Sequence, residues 1–446
     1  MERVIDSGSK QLEPILESAR KRGAEQAEVF SVRSEETPVK FEANRLKEIN
    51  SRHTSGTALR VIAGGRIGFA SSTKPGDVEG LVEAAIETAP FGPEAKFGFP
   101  GAGEAPGVDL YDEALVRRQV DEMIDDGQTL IDAVRRLEPE LLCEAHVRRS
   151  VIGVSIANSN GGAFAYEGTT YSVGVYGTRI RGTDMLFVGD GEASCRDDVD
   201  LKAIEGSVAQ QLEYTKVNAE IKTGEMPVIF TSNGVAGALV GPLVMAFSGR
   251  NVVNGQSPLI DSLGKKEYDE RFSAYDDGTL AYRPGSRPVD DEGMPSRRTP
   301  LVESGVVSSF LYDLQTAGLA GAESTASASR SLTTQPTIST SCLVIEPGDG
   351  SFQEMVRSVK EGLVVEELIG AGQGNVMGGD FSGNVLLGYK IENGEIAGRV
   401  KDTIVAGNVH KALSAVESIG AERRWVGGAL LVPPIMVGRL AVSAGS

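Results

Sequence analysis

The sequence predicts an α+β protein of two domains. The N-terminal domain is a duplicated unit of helix, antiparallel meander and helix. The C-terminal domain is mainly antiparallel β with a central buried helix. Three observations lead there. Strand-like runs follow one another across short turns, with helices gathered before and after them, which is the order of antiparallel meanders rather than of a doubly wound sheet. Of 446 residues, 55 are Gly and only 6% are aromatic, a balance that suits tightly turned β structure better than a helical bundle. The length allows two domains, and a boundary near Lys222–Glu225 divides the chain into 1–222 and 223–446.

The elements follow in order. Residues 8–22 carry helical spacing at Leu12, Ile15, Leu16 and Ala19, and Gly23 ends the helix. Strand-like runs come next: AEVFSVRSEE, VKFEANRLKEI, TALRVIAGG and RIGFASST, with Gly64-Gly65 as a hairpin turn. Residues 77–88 return to helix, and Asp77 suits its first turn, where the helix dipole favours an anion. A Pro- and Gly-rich stretch at 90–109 reads as a long loop. The same order then recurs. A helix over Glu113–Leu137 has Val116, Val120, Met123, Ile124, Leu130, Ile131 and Val134 on its apolar face. Strands are expected at 141–148, 151–157, 163–168, 170–179 and 184–189, and a closing helix at about 199–218.

The second half is dominated by strands. Its clearest hairpin spans 384–402, where Asn393-Gly394 supplies the two positive-φ residues of a type I′ turn. Residues 353–368 and 409–418 read as helices, and the tail reads as two strands separated at Gly438. The segment 323–341 is poor in apolar side chains and is expected to be mobile or exposed.

Composition narrows the function classes. The formal net charge of −18 repels phosphate backbones, so no nucleic acid partner is expected. Cys143, Cys195 and Cys342 are an odd, scattered set and make no disulfide framework. The first residues carry charges where a secretory signal needs an apolar core. Met226–Gly255 is the longest uncharged run, with nothing ionisable between Glu225 and Arg250. Its length alone could suggest a membrane span. Pro227, Pro242 and the Thr231-Ser232-Asn233-Gly234 break point instead to a strand, a turn and a buried helix. A cytoplasmic protein with no membrane contact is expected.

Chemical motifs are sparse. His53, His146 and His410 form no helical pair. Cys143 and His146 lie three apart on a predicted strand, so they face opposite ways and cannot share a metal, and no second pair completes a site. The acidic turns Asp276-Asp277-Gly278 and Asp290-Asp291-Glu292-Gly293 lack the alternating carboxylates of a calcium loop. Acidic residues before glycine are ordinary turn chemistry. Gly370-Ala371-Gly372-Gln373-Gly374 opens no helix and makes a weak phosphate loop; close passage of backbone is the simpler reading. There is no G-x-S-x-G elbow for a nucleophilic serine. Paired carboxylates stay open as a catalytic device.

Several ordered patterns nevertheless resemble the TldD/TldE family, also called PmbA or the modulator of DNA gyrase family. They are AEVFSVRSEETPVKFEANRLKEI with GTALRVIAGGRIGFAS, then DDGTLAYRPGSRPVDDEGMPSRRTPLVESGVVSSFLYD with its Glu303-Ser304-Gly305 turn, then GGDFSGNVLLGYKIENGEI and IVAGN. The resemblance spans nearly the whole chain. It implies membership of a peptidase complex of two homologous subunits. One carries an H-E-x-x-x-H helix that binds zinc with a distant Cys; the other keeps the fold without the ligands. Matched to that helix, this chain has Met245 and Arg250 at the histidine positions and Ala246 at the glutamate position, and no cysteine follows Cys342. The resemblance therefore implies the TldE/PmbA-type subunit, with no catalytic residue and no metal of its own. Its expected partners are a zinc-bearing TldD-like homologue and an extended peptide held by strand addition. Arg330, Asp380 and Phe381 are the candidate contacts to substrate or partner. The alternative is a homodimeric peptide-binding protein acting without a catalytic partner.

Overall fold

A computed structural model describes the backbone of residues 2–445 and the side chains from Leu12 onward. It is an α+β structure of mostly antiparallel sheets. The first half holds α1 (Glu2–Lys21), β1 (Gln26–Glu42), β2 (Arg45–Ile49), β3 (Arg52–Ala63), β4 (Arg66–Ser72) and α2 (Val78–Thr88). After the Pro/Gly-rich stretch come α3 (Glu113–Arg117), α4 (Val120–Leu137), β5 (Leu142–Asn158), β6 (Ala163–Arg181), β7 (Asp184–Ser194) and α5 (Leu201–Tyr214). The two meanders share one seven-stranded sheet in the order β4-β3-β1-β5-β6-β7, with β2 attached to β1. Antiparallel pairing of β1 with β5 joins the two copies.

Several expected breaks are absent here and one is new. The strands expected at 141–148 and 151–157 are one strand, β5, and those at 163–168 and 170–179 are one strand, β6. Unbroken β5–β6 pairing from Leu142 to Ala157 keeps both extended through their polar residues. The helix expected over Glu113–Leu137 is interrupted at Arg118, whose ψ of 125° leaves the helical range. Arg118 is held there by Asp126 and Asp197 and sits over the Tyr171 ring.

The second half opens with β8 (Gly224–Phe230), α6 (Ser232–Val235), a single π turn at Ala236–Val240, α7 (Gly241–Phe247) and α8 (Gly249–Val253). β8 lies between Glu361–Ile369 and Ile435–Ala444 in a second seven-stranded sheet. In that sheet Asp380–Glu392 pairs with both Thr403–Asn408 and Glu361–Ile369, which closes the sheet on itself. A six-stranded sheet built around Ala274–Asp277 and Arg298–Glu303 packs beside it. One apolar core fills this half and includes Phe230, Leu243, Phe247 and Phe381. A second core runs from α4, α5 and β5–β7 across to Ile229, Val364, Tyr389 and Met436, so the halves share buried surface.

Three expectations for the second half are corrected. Only Phe352–Ser358 of 353–368 is helical, and Glu361–Ile369 is a strand. The β-branched Val364 and Val365 pair in parallel with Ile229 and Phe230, and that burial overrides the helical spacing. The tail breaks at Pro433-Pro434, while Ile435–Ala444 continues through Gly438 with only a shift in register. Ser324–Ala328, expected to be mobile or exposed, is buried. Its hydroxyls satisfy the interior: Thr325 Oγ1 accepts from the Tyr312 amide at 2.7 Å and lies 2.8 Å from Ser327 Oγ.

Candidate functional site

The uncharged segment 226–255 contributes a strand and then a helical path that changes pitch twice. Thr231 caps α6 through its hydroxyl, which accepts from the Gly234 amide. Pro242 falls in the first turn of α7, where its missing N–H costs nothing. The buried helix expected in this segment does not run through. Ser248 has ψ 116°, and the backbone turns aside to Leu311: the Leu311 amide donates to Phe247 at 2.9 Å and Gly249 donates to Leu311 at 2.8 Å. Gly249 is required there, because a Cβ would overlap the Tyr312 ring and the Leu311 carbonyl.

The three positions of interest face different environments. Ala246 is sealed in the core, and its carbonyl accepts from Ser257 Oγ at 2.6 Å. Met245 is half-buried, and its carbonyl accepts from Asn251 Nδ2 at 2.7 Å. Arg250 lies beyond the break, exposed. A thioether, a methyl and a guanidinium do not fit zinc. Among the described residues no three His, Cys, Asp or Glu side chains come together as a metal site.

His410 packs near this region. Its Nδ1 lies 2.8 Å from the Tyr268 hydroxyl, and burial lowers its pKa, which favours the neutral ring. Gly379, at φ 91°, passes so close that a Cβ would overlap the imidazole. Of the three contact candidates, only Asp380 has an exposed side, accepting from Asn408 Nδ2 at 2.8 Å. Phe381 is buried edge-on against Phe230 with ring centroids 6.0 Å apart. The Arg330 side chain is 0% exposed.

Arg330 instead belongs to a charge network that sequence reasoning missed. Its Nη2 lies 2.8 Å from Glu28 Oε1, donates to the Asp291 carbonyl at 2.6 Å, and its guanidinium sits 4.3 Å from the Phe30 ring centroid. Glu28 also meets Arg60, which bonds Glu292 at 2.6 Å. Arg287 neutralises Asp291 at 3.3 Å. The acidic turn 290–293 thus has cations for company, supplied by guanidinium groups. The clue in the sequence was Glu28 and Arg60 at positions that should face the interior of strands.

A cleft of about 680 Å³ opens between the halves. One wall is β7 with parts of β5 and β6; the other is Asn233, Ala236, Gly237 and the strand Glu361–Ile369. The edge of β7 is partly closed: Gln211 on α5 accepts from the Gly189 amide at 2.9 Å and donates to its carbonyl at 3.0 Å.

Comparison with known proteins gives a consistent result. A model of the PmbA/TldA metallopeptidase C-terminal domain matches residues 223–444, and a model of PmbA/TldA metallopeptidase domain 1 matches residues 27–89. The chain is 26% identical to an uncharacterised protein of Methanocaldococcus jannaschii, over 95% of this chain and 98% of that one. It is also 26% identical to a metalloprotease of Methanothermobacter thermautotrophicus, over 90% and 89% of the two chains. Its fold matches the crystal structure of TldE from Thermococcus kodakarensis with a TM-score of 0.88 at 24% identity, covering 97% of this chain and 100% of that one. With two domain models of one family covering more than half its length, this chain belongs to the PmbA/TldD (TldD/TldE) metallopeptidase family.

Proposed function

We propose that this chain is the zinc-free subunit of a TldD/TldE-type peptidase assembly, pairing with a zinc-bearing homologue and helping to enclose unstructured, extended peptides. The observation that carries this reading is the chemistry at 245–250. Ala246 stands where a general base is needed and is sealed in the core, while Met245 and Arg250 offer no imidazole to a metal. A chain with such a helix keeps the family's architecture and loses its hydrolytic centre, so its contribution is surface and shape. The cytoplasm is the proposed compartment, and among the described residues no helix is long and apolar enough to cross a membrane.

Co-expression with an H-E-x-x-x-H homologue tests the pairing. Co-purification of the two chains is the expected result. A persistent homodimer that never takes up the zinc-bearing chain would overturn it and favour an independent peptide-binding protein.

A further inference from the structure

The long hairpin of the first sheet has a free edge. β2 and the start of β3 run along one side of β1, while β5 covers its other side. β4 pairs with β3 only from Thr57 onward. Residues 45–54 therefore have no strand beyond them among the described residues, and every one of them is exposed. Unpaired main-chain N–H and C=O groups on such an edge are a template for one more strand. The edge is fixed from its turn. Ala43 and Asn44 take φ 47° and 67°, as a type I′ hairpin needs. The Asn44 amide donates to the Cys143 carbonyl at 2.9 Å, and Asn44 Oδ1 accepts from the Cys143 amide at 2.8 Å, which bonds the turn to β5.

The side chains along the edge say what fits it. Leu46 and Ile49 are 44% and 45% exposed, although Phe41 and Val39, their partners on β1, are sealed in the core. They carry that apolar row one strand beyond its cover. Arg45 and Arg52 lie on the other face, opposite Glu42 and Glu36. Those carboxylates have other cations beside them: Lys40 holds Glu42 at 2.6 Å, and Arg148 lies 3.9 Å from Glu36. Lys47 reaches Glu42 only at 3.8 Å, and Arg52 reaches Glu48 only at 3.8 Å, in exposed pairs that are weak. Arg45, Lys47 and Arg52 thus face solvent against Glu48 alone, on a chain whose formal net charge is −18. A copy of the same edge would set these cations against themselves, and like charges across a strand pair are destabilising. One strand edge is also narrow beside the roughly 1,600 Å² that a stable protein–protein interface buries. A short acidic strand suits it on both counts.

We infer that the free edge at 45–54 docks an extended acidic peptide, which adds as a strand beside β2. Carboxylates on one face of the peptide meet Arg45, Lys47 and Arg52, and side chains on its other face cover Leu46 and Ile49. Main-chain bonds hold the strand, and the charges select it. The site needs neither zinc nor a zinc-bearing chain, so it stands apart from the subunit reading.

Fluorescence anisotropy on the purified full chain tests it. The probe is a dye-labelled peptide of alternating glutamate and threonine. Its controls carry glutamine or lysine for glutamate, and two more glutamate peptides are N-methylated on alternate residues, one in each phase. The glutamate peptide should bind about tenfold more tightly than the glutamine peptide, against the repulsion of the chain's overall charge, and the lysine peptide most weakly. At least one methylation phase should abolish binding. Arg45→Glu, and separately Lys47→Glu, should remove the preference for glutamate, whereas Lys202→Glu on α5 should leave it intact. No peptide binding, no preference for glutamate, full binding in both methylation phases, or an unchanged preference in folded Arg45→Glu and Lys47→Glu would overturn the inference. A dimer of the lone chain in sedimentation that Lys47→Glu dissociates would also overturn it, because a second copy would then hold the edge.

Discussion

Arg60 Nη1 on β3 lies 2.6 Å from Glu292 Oε1, across 232 positions of sequence, with both side chains no more than 3% exposed. Arg60 also bonds Glu28 on β1, and Glu28 meets Arg330 from the second half. The rings of Phe97 and Phe99 flank Arg60 with centroids 5.0 Å away. Burial of so many charges is expensive unless each is paired, and these pairs tie β1 and β3 to Glu292 and Arg330 of the second half.

Removing one member should therefore cost far more than losing a surface ion pair. Arg330→Met leaves Glu28 short of a cation and the Asp291 carbonyl short of a donor, and a loss of about 3–5 kcal/mol is expected in chemical denaturation. Pairing it with Glu28→Gln should recover part of that loss. A cost below about 1 kcal/mol for the single variant would contradict the role given to the network.

Gln211 acts as a stand-in for a neighbouring strand, since its amide makes both bonds to Gly189. Gln211→Leu should cost about 1–3 kcal/mol and speed hydrogen exchange at the Gly189 amide. Unchanged exchange there would show that the amide is protected some other way.

The turn at Ser248 depends on Gly249 having no side chain. Gly249→Ala should destabilise the protein by about 1–3 kcal/mol. Gly237→Ala is the contrasting case, since nothing lies within 4 Å of the added Cβ, and its effect should stay within about 0.5 kcal/mol. Thermal unfolding of both separates steric need from a general glycine effect.

Asp276 gives a pH prediction. Burial pushes its carboxyl up to about 7, against an ordinary value of 3.8, while its Oδ1 accepts from the Ser341 amide at 2.8 Å. Between these values the folded state holds a proton that the unfolded state has released. Stability must then fall as pH rises from 3.8 to about 7. Asp276→Asn should remove that part of the slope. An unaltered pH profile of unfolding would contradict the assignment.

Local signals in the sequence were reliable where backbone geometry is set locally. Gly64-Gly65 and Asn393-Gly394 all have positive φ, as their turns require. The repeated order of helix, meander and helix was legible, but the single sheet joining the copies was not, since β1–β5 pairing is a contact between distant segments. Residues 361–369 were misread because Val364 and Val365 show their partners only in three dimensions. The segment around Arg330 misled for a different reason: small hydroxyl side chains are hydrophilic in composition yet fill an interior when they bond one another. At 245–250 the residue types were legible, while the break at Ser248 was not, because Leu311 imposes it from elsewhere in the chain.

We propose that this chain does not cut by itself. Metal analysis and peptide hydrolysis should be measured on the purified chain alone, then after addition of a zinc-bearing homologue. On this proposal the lone chain carries no stoichiometric zinc and hydrolyses no peptide, and activity arises only in the mixture. Tightly bound zinc at one equivalent together with hydrolysis by the lone chain would contradict it.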